Sequence, residues 1–585
     1  MSPTLLSGNE AVARGAWEAG ALVGVGYPGT PSTQALEVFA AMDGVYAEWA
    51  PNEKVALEVA AGASMGGARS LVTMKHVGVN VAADPLFTLA YTGVGAGLVV
   101  FVADDPGMHS SQNEQDSRNW GPFARVPVLE PSDSSEALEF TRVAFELSER
   151  FDIPVIVRAT TRISHSKGVV ELSGARQSVV PGDYRKDVGK WVMMPAMARA
   201  RRLSLDERVR QLADYAEKSP LNRVEMRDSA IGVVTSGVCY QYVREALPEA
   251  SIFKLGMCFP LPAQALADFS RSVDRLVVVE EADRYLESSL KVLGLTPEPV
   301  DLPASGELSP GLVHRALGGD PPPVRESVPG LPPRPPLMCP GCPHRGAYNA
   351  LRKAKAIVTG DIGCYTLGAL APLASMDACV CMGASVGMAH GMRLAGQGSA
   401  RRPVVAVIGD STFAHSGVTG LMDIAYNGGD AMVCILDNRI TAMTGHQQNP
   451  VSGMTLQREP AVEVDLEALC RSIGVKRVRT VDPHDLAASE QAVREEIDSG
   501  ELSVLIFRAP CALLIKEKDQ PYAVDDNLCT ACGLCIRLGC PAISKGEDGK
   551  ARIDVTICVG CGDCVQVCKF SAIELTGPAC EIGGV

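Results

Sequence analysis

The sequence predicts an α/β protein of several domains, built on doubly wound parallel sheets and closed by a small α+β domain rich in cysteine. Three observations carry this. Short apolar strands alternate with Ala- and Gly-rich helices in three separate stretches, the pattern of a parallel sheet covered on both faces. Composition breaks at Pro321–Pro336, where eight of sixteen residues are proline, as in a stiff polyproline-like linker. Eight cysteines crowd between Cys529 and Cys568, in two runs of nearly the same spacing.

At roughly 150 residues per domain, 585 residues imply about four domains, each large enough for its own core. With 46% hydrophobic and 21% charged residues the composition is that of a globular protein and excludes wholesale disorder. A net charge of −14 repels phosphate backbones, so nucleic acid is not an expected partner. Met1–Ala11 carries no basic segment followed by an apolar one, so a cytoplasmic location without a secretory signal is expected. The uncharged stretch Pro85–Ala103 has the length of a membrane span, but Thr88, Tyr91, Thr92 and three glycines interrupt it, and a short helix followed by a strand at Gly97–Ala103 fits better. No membrane association is expected.

Residues 1–175 read as a first α/β domain, with strands at Ala21–Val25, Ser70–Met74, Gly97–Ala103 and Pro154–Arg158 and a long helix over Glu53–Ala68. Residues 176–227 form a charged linker, with an amphipathic helix at Leu203–Lys218 bridging two domains. A second α/β domain spans 228–320, with strands near Ile231–Thr235, Ile252–Leu255 and Arg275–Glu280. After the Pro-rich linker, 321–338, come a third α/β domain at 339–519 and the cysteine-rich tail at 520–585.

An odd count of 19 cysteines in a chain without a secretory signal argues against a disulfide framework and for metal or redox chemistry. Cys529, Cys532, Cys535 and Cys540 make C-x2-C-x2-C-x4-C-P; Cys558, Cys561, Cys564 and Cys568 make C-x2-C-x2-C-x3-C. Three closely spaced thiolates can wrap three corners of a [4Fe-4S] cube, and the distant fourth cysteine of each run completes the other cube. This assigns Cys529, Cys532, Cys535 and Cys568 to one cluster and Cys558, Cys561, Cys564 and Cys540 to the other. A pair of zinc sites is the alternative, though zinc knuckles rarely show such paired runs with a proline after the fourth cysteine. The tail resembles a bacterial two-cluster ferredoxin, departing from it by one extra residue before Cys540 and by Lys569 in place of a proline.

In the third domain a buried strand, Val404–Ile408, ends in Gly409-Asp410-Ser411, and a second, Ala431–Leu436, ends in Asp437-Asn438. Ligands in such sheets sit at the carboxyl ends of strands. There Asp410 and Asn438 offer oxygen ligands to a divalent ion, which would bridge to a diphosphate. The 27 residues between Asp410 and Asn438 match the interval of the thiamine diphosphate motif, here written G-D-S and D-N. The continuation Arg439-Ile440-Thr441-Ala442-Met443-Thr444-Gly445-His446-Gln447 is similar to the cofactor loop of 2-oxoacid:ferredoxin oxidoreductases. That resemblance implies that Ile440 gives its carbonyl to Mg2+ and that Gly409, Ser411 and Thr444 lie at the cofactor. It also implies a third [4Fe-4S] site, because Cys339, Cys342, Cys364 and Cys511 stand in contexts that match cluster ligands of that family. Without it, C-x2-C beside a strand reads as a thiol pair or zinc half-site. Cys239, Cys258, Cys379, Cys381, Cys434, Cys470 and Cys580 lack such contexts and are expected to be buried and structural.

Thiamine needs a carboxylate on its aminopyrimidine ring, and the first domain is expected to supply it. Asn52-Glu53 opens a helix with Gly62 nine residues further on, the interval seen after the activating Glu of thiamine enzymes; Glu58 is the rival, and both are otherwise helix-surface acids. Tyr27-Pro28-Gly29-Thr30-Pro31-Ser32 reads as a capped turn that could bind an anion. It resembles the 2-oxoacid oxidoreductase segment whose threonine, here Thr30, lies against the substrate carboxylate. Loops Met74–Asn80 and Asp105–Gln112 are placed over the same pocket, with His76 and His109 as candidate proton carriers.

Over nearly its whole length the chain resembles the alpha subunits of indolepyruvate ferredoxin oxidoreductases. The resemblance implies a multidomain thiamine-diphosphate-binding fold with a C-terminal two-[4Fe-4S] ferredoxin-like domain. It further implies oxidative decarboxylation of an arylpyruvate, coenzyme A as acyl acceptor, ferredoxin as electron acceptor, and a smaller beta subunit in a hetero-oligomer. The pyruvate enzymes carry an arginine for the substrate carboxylate just before the strand ending at Ala103; Tyr91–Ala103 has none, which fits a different oxoacid.

Overall fold

The computed structural model describes residues 3–172, 175–178, 182, 184–318, 328–332, 335–398 and 402–576. Half of the Pro-rich linker, and Cys580, therefore lie outside the described residues. The chain divides into two compact units, residues 1–328 with Leu456–Arg458, and residues 329–455 with 459–585.

The first unit is organised by a seven-stranded sheet in the order Met257–Phe259, Val128–Leu129, Val155–Thr160, Leu98–Asp104, Ser70–Lys75, Val23–Gly26 and Tyr46–Trp49. All neighbours are parallel except the first pair. Every residue of Leu98–Asp104 and of Val155–Thr160 is buried, as expected of strands covered on both faces. Helix Gly8–Glu18 lies on helix Ser134–Phe151 so closely that a Cβ on Gly15 would stand 2.5 Å from the Leu138 carbonyl oxygen. The stretch that has the length of a membrane span divides into helix Ala83–Thr92 and strand Leu98–Asp104, and no described helix is long and apolar enough to cross a membrane.

The helix expected over Glu53–Ala68 ends at Met65, where Gly66 caps it. The helix expected at Leu203–Lys218 runs from Pro195, at its first turn, to Ala216. It is fastened down along one side: Arg201 donates to the carbonyls of Tyr91 (2.7 Å) and Thr92 (2.8 Å) and Arg208 to that of Tyr91 (2.9 Å). A four-stranded sheet follows, in the order Leu276–Val279, Asp228–Ser236, Ala250–Leu255 and Arg223–Glu225, the last strand antiparallel. The same stretch of chain lends Met257–Phe259 to the edge of the first sheet.

The second unit holds a six-stranded, all-parallel sheet in the order Ala378–Cys379, Ile357–Gly360, Val404–Gly409, Met432–Asp437, Ser503–Arg508 and Arg477–Val481. The tail is built of two antiparallel strand pairs, Tyr522–Val524 with Ile573–Leu575 and Ile543–Lys545 with Ala551–Ile553. It is packed on the sheet domain, not tethered to it: Leu486 joins the tail's core, and its amide donates to Gln566 Oε1 at 3.0 Å. The Gln566 amide in turn donates to the His484 carbonyl at 2.6 Å.

Candidate active site and cysteine-lined cavities

In the first unit the residues singled out from the sequence fall at the carboxyl ends of neighbouring strands, where such sheets bind ligands. Thr30 follows Val23–Gly26 in a turn where the Gly29 amide donates to Thr33 Oγ1 at 3.0 Å, and it is half-buried. Glu53 follows Tyr46–Trp49 and opens its helix because Asn52 caps it, accepting from the Val55 amide at 2.9 Å. Glu53 is 4% exposed, whereas its rival Glu58 is exposed and paired with Lys54. The Glu53 carboxyl lies on the backbone of Gly78: a Cβ there would stand 2.6 Å from Oε1. Gly62, by contrast, faces open space, so its interval from Glu53 has no steric reason here.

Met74–Asn80, expected as a loop, is instead a strand end and a helix: Lys75 ends strand Ser70–Lys75, His76 opens helix His76–Val81, and both are buried. His76 Nε2 sits 3.1 Å from the Asn113 carbonyl oxygen, and burial lowers its pKa, so the ring is a neutral anchor for the loop over the strand ends. His109 is exposed, 3.5 Å from Glu307, and does not enter a buried pocket. Lys75 lies in the Met74–Asn80 segment but is not one of the candidate residues expected from the sequence. Its Nζ donates to the Ser110 carbonyl at 2.7 Å, and burial pulls its pKa down to about 8 against the opposing charge of Asp105. Its Cβ would lie 3.1 Å from a Cβ on Gly29, next to Thr30. The aliphatic stem of Lys75 thus runs along the Tyr27–Ser32 turn, while its ammonium group is held at Ser110.

In the second unit Asp410 begins directly after strand Val404–Gly409 and Asn438 directly after Met432–Asp437, on adjacent parallel strands. Asp410 Oδ1 accepts from the Ser411 amide at 2.7 Å, while Oδ2 is buried without a well-formed hydrogen bond among the described residues. Burial, with the Asp437 carboxylate behind it, pushes the Asp410 pKa up to about 7. Asp437 itself accepts from Arg508 Nε at 2.7 Å, so Asp410 is the carboxylate left in need of a cation. Ser411 Oγ accepts from Thr441 Oγ1 at 2.9 Å, Asn438 Oδ1 from the Ile440 amide at 3.4 Å, and the Thr444 hydroxyl donates to Gln447 Oε1 at 2.5 Å. Thr441 and Gln447 exchange both main-chain bonds, which folds Asn438–Gln447 into a closed lobe. Gly409, Asp410, Ser411, Asn438 and Ile440 thus sit together at two adjacent strand ends, with Thr444 bonded to Gln447 in the lobe beside them, and a hard divalent cation fits the oxygen donors of the first group and the orphaned Asp410 oxygen.

The cysteines gather in three groups. One cavity, with about 360 Å³ of empty space, is lined by Cys529, Cys532, Cys535 and Cys568. A second, of about 450 Å³, is lined by Cys540, Cys558, Cys561 and Cys564. The fourth cysteine of each run therefore lies in the other run's cavity. Cys339, Cys342, Cys364 and Cys511 are close enough that their thiols perturb one another, and burial pushes Cys342 up to about 12 and Cys364 up to about 11. The Cys511 amide donates to the Asn438 carbonyl at 3.1 Å, joining this group to the Asp410 site. Of the remaining cysteines, Cys239, Cys258, Cys434 and Cys470 are buried as expected, but Cys379 is only half-buried and Cys381 is exposed, because the chain leaves the sheet edge at that point.

Residues 14–209 match the family described as pyruvate flavodoxin/ferredoxin oxidoreductase, thiamine diphosphate-binding, and residues 361–507 the C-terminal thiamine pyrophosphate-binding domain of thiamine pyrophosphate enzymes. The two matched regions are those of a thiamine-diphosphate-binding 2-oxoacid oxidoreductase. The chain is 41% identical over 564 residues to indolepyruvate oxidoreductase subunit IorA of Methanothermobacter thermautotrophicus, covering 91% of each chain. It is 39% identical over 571 residues to the same subunit of Archaeoglobus fulgidus, again covering 91% of each. The chain belongs to this indolepyruvate oxidoreductase subunit family, within the 2-oxoacid:ferredoxin oxidoreductases, and is an oxidoreductase. Among solved structures, 2-oxoglutarate:ferredoxin oxidoreductase from Magnetococcus marinus aligns with 54% of this chain and 64% of its own, at 16% identity and a TM-score of 0.47.

Two outcomes follow from the site geometry. Gly78→Ala forces the Glu53 carboxyl aside, so oxoacid-dependent turnover should fall at least about tenfold while the melting temperature moves only a few degrees; adding the shorter acid, Glu53→Asp, should recover part of the rate. Folding holds the Asp410 proton up to about pH 7, where the unfolded chain has already lost it near pH 4. In metal-free protein the folded state therefore loses stability as pH rises across that window, by up to about 4 kcal/mol relative to Asp410→Asn. Thermal melts of both proteins from pH 5 to pH 8, with and without Mg2+ and thiamine diphosphate, should show the loss in wild type alone and its reversal by the added ligands.

Proposed function

We propose that the chain catalyses oxidative decarboxylation of arylpyruvates, with indolepyruvate preferred, to the acyl-CoA and carbon dioxide, passing electrons through [4Fe-4S] clusters to ferredoxin. The observation that carries this reading is the gathering of twelve cysteines into three sets of four, one of them hydrogen-bonded to Asn438. Thiamine diphosphate, when bound, supplies the nucleophilic carbon that makes decarboxylation possible. Asp410, Asn438 and Ile440 are suited to hold Mg2+, with Gly409, Ser411 and Thr444 lining the diphosphate. Glu53 is suited to hold the proton relay at the aminopyrimidine, since its carboxyl is buried and seated on Gly78. Thr30 and Lys75 orient the substrate carboxylate, Lys75 supplying the positive charge that no arginine in Tyr91–Ala103 provides.

Cys529, Cys532, Cys535 and Cys568 would hold the outer tail cluster, and Cys540, Cys558, Cys561 and Cys564 the inner one, in a ferredoxin-like domain. Cys339, Cys342, Cys364 and Cys511 would hold the third. The relatives are named as subunits, which supports a partner subunit in a hetero-oligomer. A non-catalytic electron-transfer adaptor does not fit the family or the orphaned Asp410 carboxylate.

Anaerobically reconstituted protein with its partner subunit should contain about twelve irons per chain, four for each cluster. Its visible cluster absorption should bleach faster with indolepyruvate than with pyruvate. Glu53→Gln should keep the iron and lose this bleaching while dithionite still reduces the clusters; unaltered oxoacid-dependent reduction would refute the assignment. The Lys75 ammonium is charged below about pH 8, so the KM for the oxoacid should rise as pH passes 8. Lys75→Met should raise KM at least about tenfold at every pH, and Lys75→Arg should remove the rise.

A further inference from the structure

Arg345 follows Cys342 by three residues and is only 2% exposed. Its guanidinium donates to the carbonyl oxygens of Cys339 (2.5 Å) and Met338 (2.6 Å). The remaining donor, Nε, is buried and has no partner among the described residues. Arg345 also lines the cavity that contains Cys540, Cys558, Cys561 and Cys564, together with Pro340 and Gly341. The two cysteine turns are back to back here: a Cβ on Gly341 would stand 2.3 Å from Val559 Cγ2. The charged groups that face this junction are Arg345, Asp563 and His484, and Asp563 is already engaged by His484 Nδ1 at 2.9 Å. Among the described residues no carboxylate pairs with Arg345.

A buried cation whose hydrogen bonds go to neutral carbonyls is costly unless an anion compensates it. Four thiolates around an iron–sulfur cube supply such a charge on each side, and hydrogen bonds and nearby charge raise a cluster's reduction potential. We infer that Arg345 is a positioning residue that bridges the Cys339/Cys342/Cys364/Cys511 and Cys540/Cys558/Cys561/Cys564 clusters, fixing the Cys339 turn and raising the potentials of both. This rests on the cluster reading above. An electron passed from the first cluster to the second would cross this junction with no bond made or broken, and the Arg345 cation would stabilise the reduced form on either side.

The test is an EPR-monitored redox titration of the reconstituted holoenzyme with its partner subunit, comparing wild type, Arg345→Met and Arg345→Lys. In Arg345→Met two of three midpoint potentials should move negative, each by about a tenfold lower ratio of reduced to oxidised cluster at a fixed potential, 59 mV for a one-electron couple. The outer cluster of Cys529, Cys532, Cys535 and Cys568 should not move, and Arg345→Lys should recover most of the shift. Three unchanged potentials, or three equal shifts, would overturn the inference. If Arg345→Met loses iron, Arg345→Lys decides: iron retained with near-wild-type potentials supports the bridging charge, and iron lost again reduces Arg345 to a scaffold of the Cys339 turn. A wild-type content of about eight irons would instead remove the third cluster from the cluster reading.

Discussion

Parallel strands buried on both faces leave no room for chemistry along their length, and this constraint shapes the whole molecule. In Leu98–Asp104, Val404–Gly409 and Met432–Asp437 every residue is buried, so polar function is confined to where the chain leaves the sheet. Thr30, Glu53, Lys75 and Asp105 end four neighbouring strands of one sheet. Asp410, Asn438 and Cys511 follow three neighbouring strands of the other. A parallel sheet points all those ends one way, and separate segments of sequence thereby become a single edge.

Charge placed at such an edge must be compensated. In the first unit, two fully buried arginines serve four acids: Arg158 meets Asp104 at 2.9 Å and also Glu130, and Arg118 meets Asp116 at 2.5 Å and Glu280 at 3.0 Å. Asp104 and Glu130 belong to the seven-stranded sheet and its connections, Glu280 to the end of the four-stranded one. The network thus fixes how those two sheets dock, and breaking one partner would strand a buried charge at a cost of about 3–5 kcal/mol. Asp410 is the exception in the second unit, because its neighbour Asp437 takes the available arginine.

What the sequence made legible was the chemistry carried by spacing. The crossed cysteine runs, the Asp410–Asn438 interval and the alternation of strand and helix all depend on neighbours along the chain. Features set by tertiary contact were not legible. Glu53 and Glu58 differ by one helical turn in sequence, but only burial shows that one faces Gly78 and the other pairs with Lys54 in solvent. Lys75 stands in the Met74–Asn80 segment, which reads only as a loop over the pocket, and its low pKa comes from burial, against the opposing charge of Asp105. Met257–Phe259 is too short to signal which sheet it joins, and the linker helix owes its hold to arginines that reach carbonyls about a hundred residues away. Cys381 looked like its buried neighbours because composition carries no information about a sheet edge.

The strand register also bears on how the proposed redox groups are held. Asp437 is directly opposite Arg508 across two adjacent strands, and the residues that follow are Asn438 on one and Ala509, Pro510 and Cys511 on the other. The Arg508–Asp437 ion pair, the Ala509 amide on the Asp437 carbonyl and the Cys511 amide on the Asn438 carbonyl close this junction in three successive steps. A metal at Asn438 and a cluster at Cys511 would therefore be held by one hydrogen-bonded ladder and not by two flexible loops. On the proposed reading, strand register would set the separation of donor and first acceptor, and the tail is joined to the same domain through Leu486 and His484.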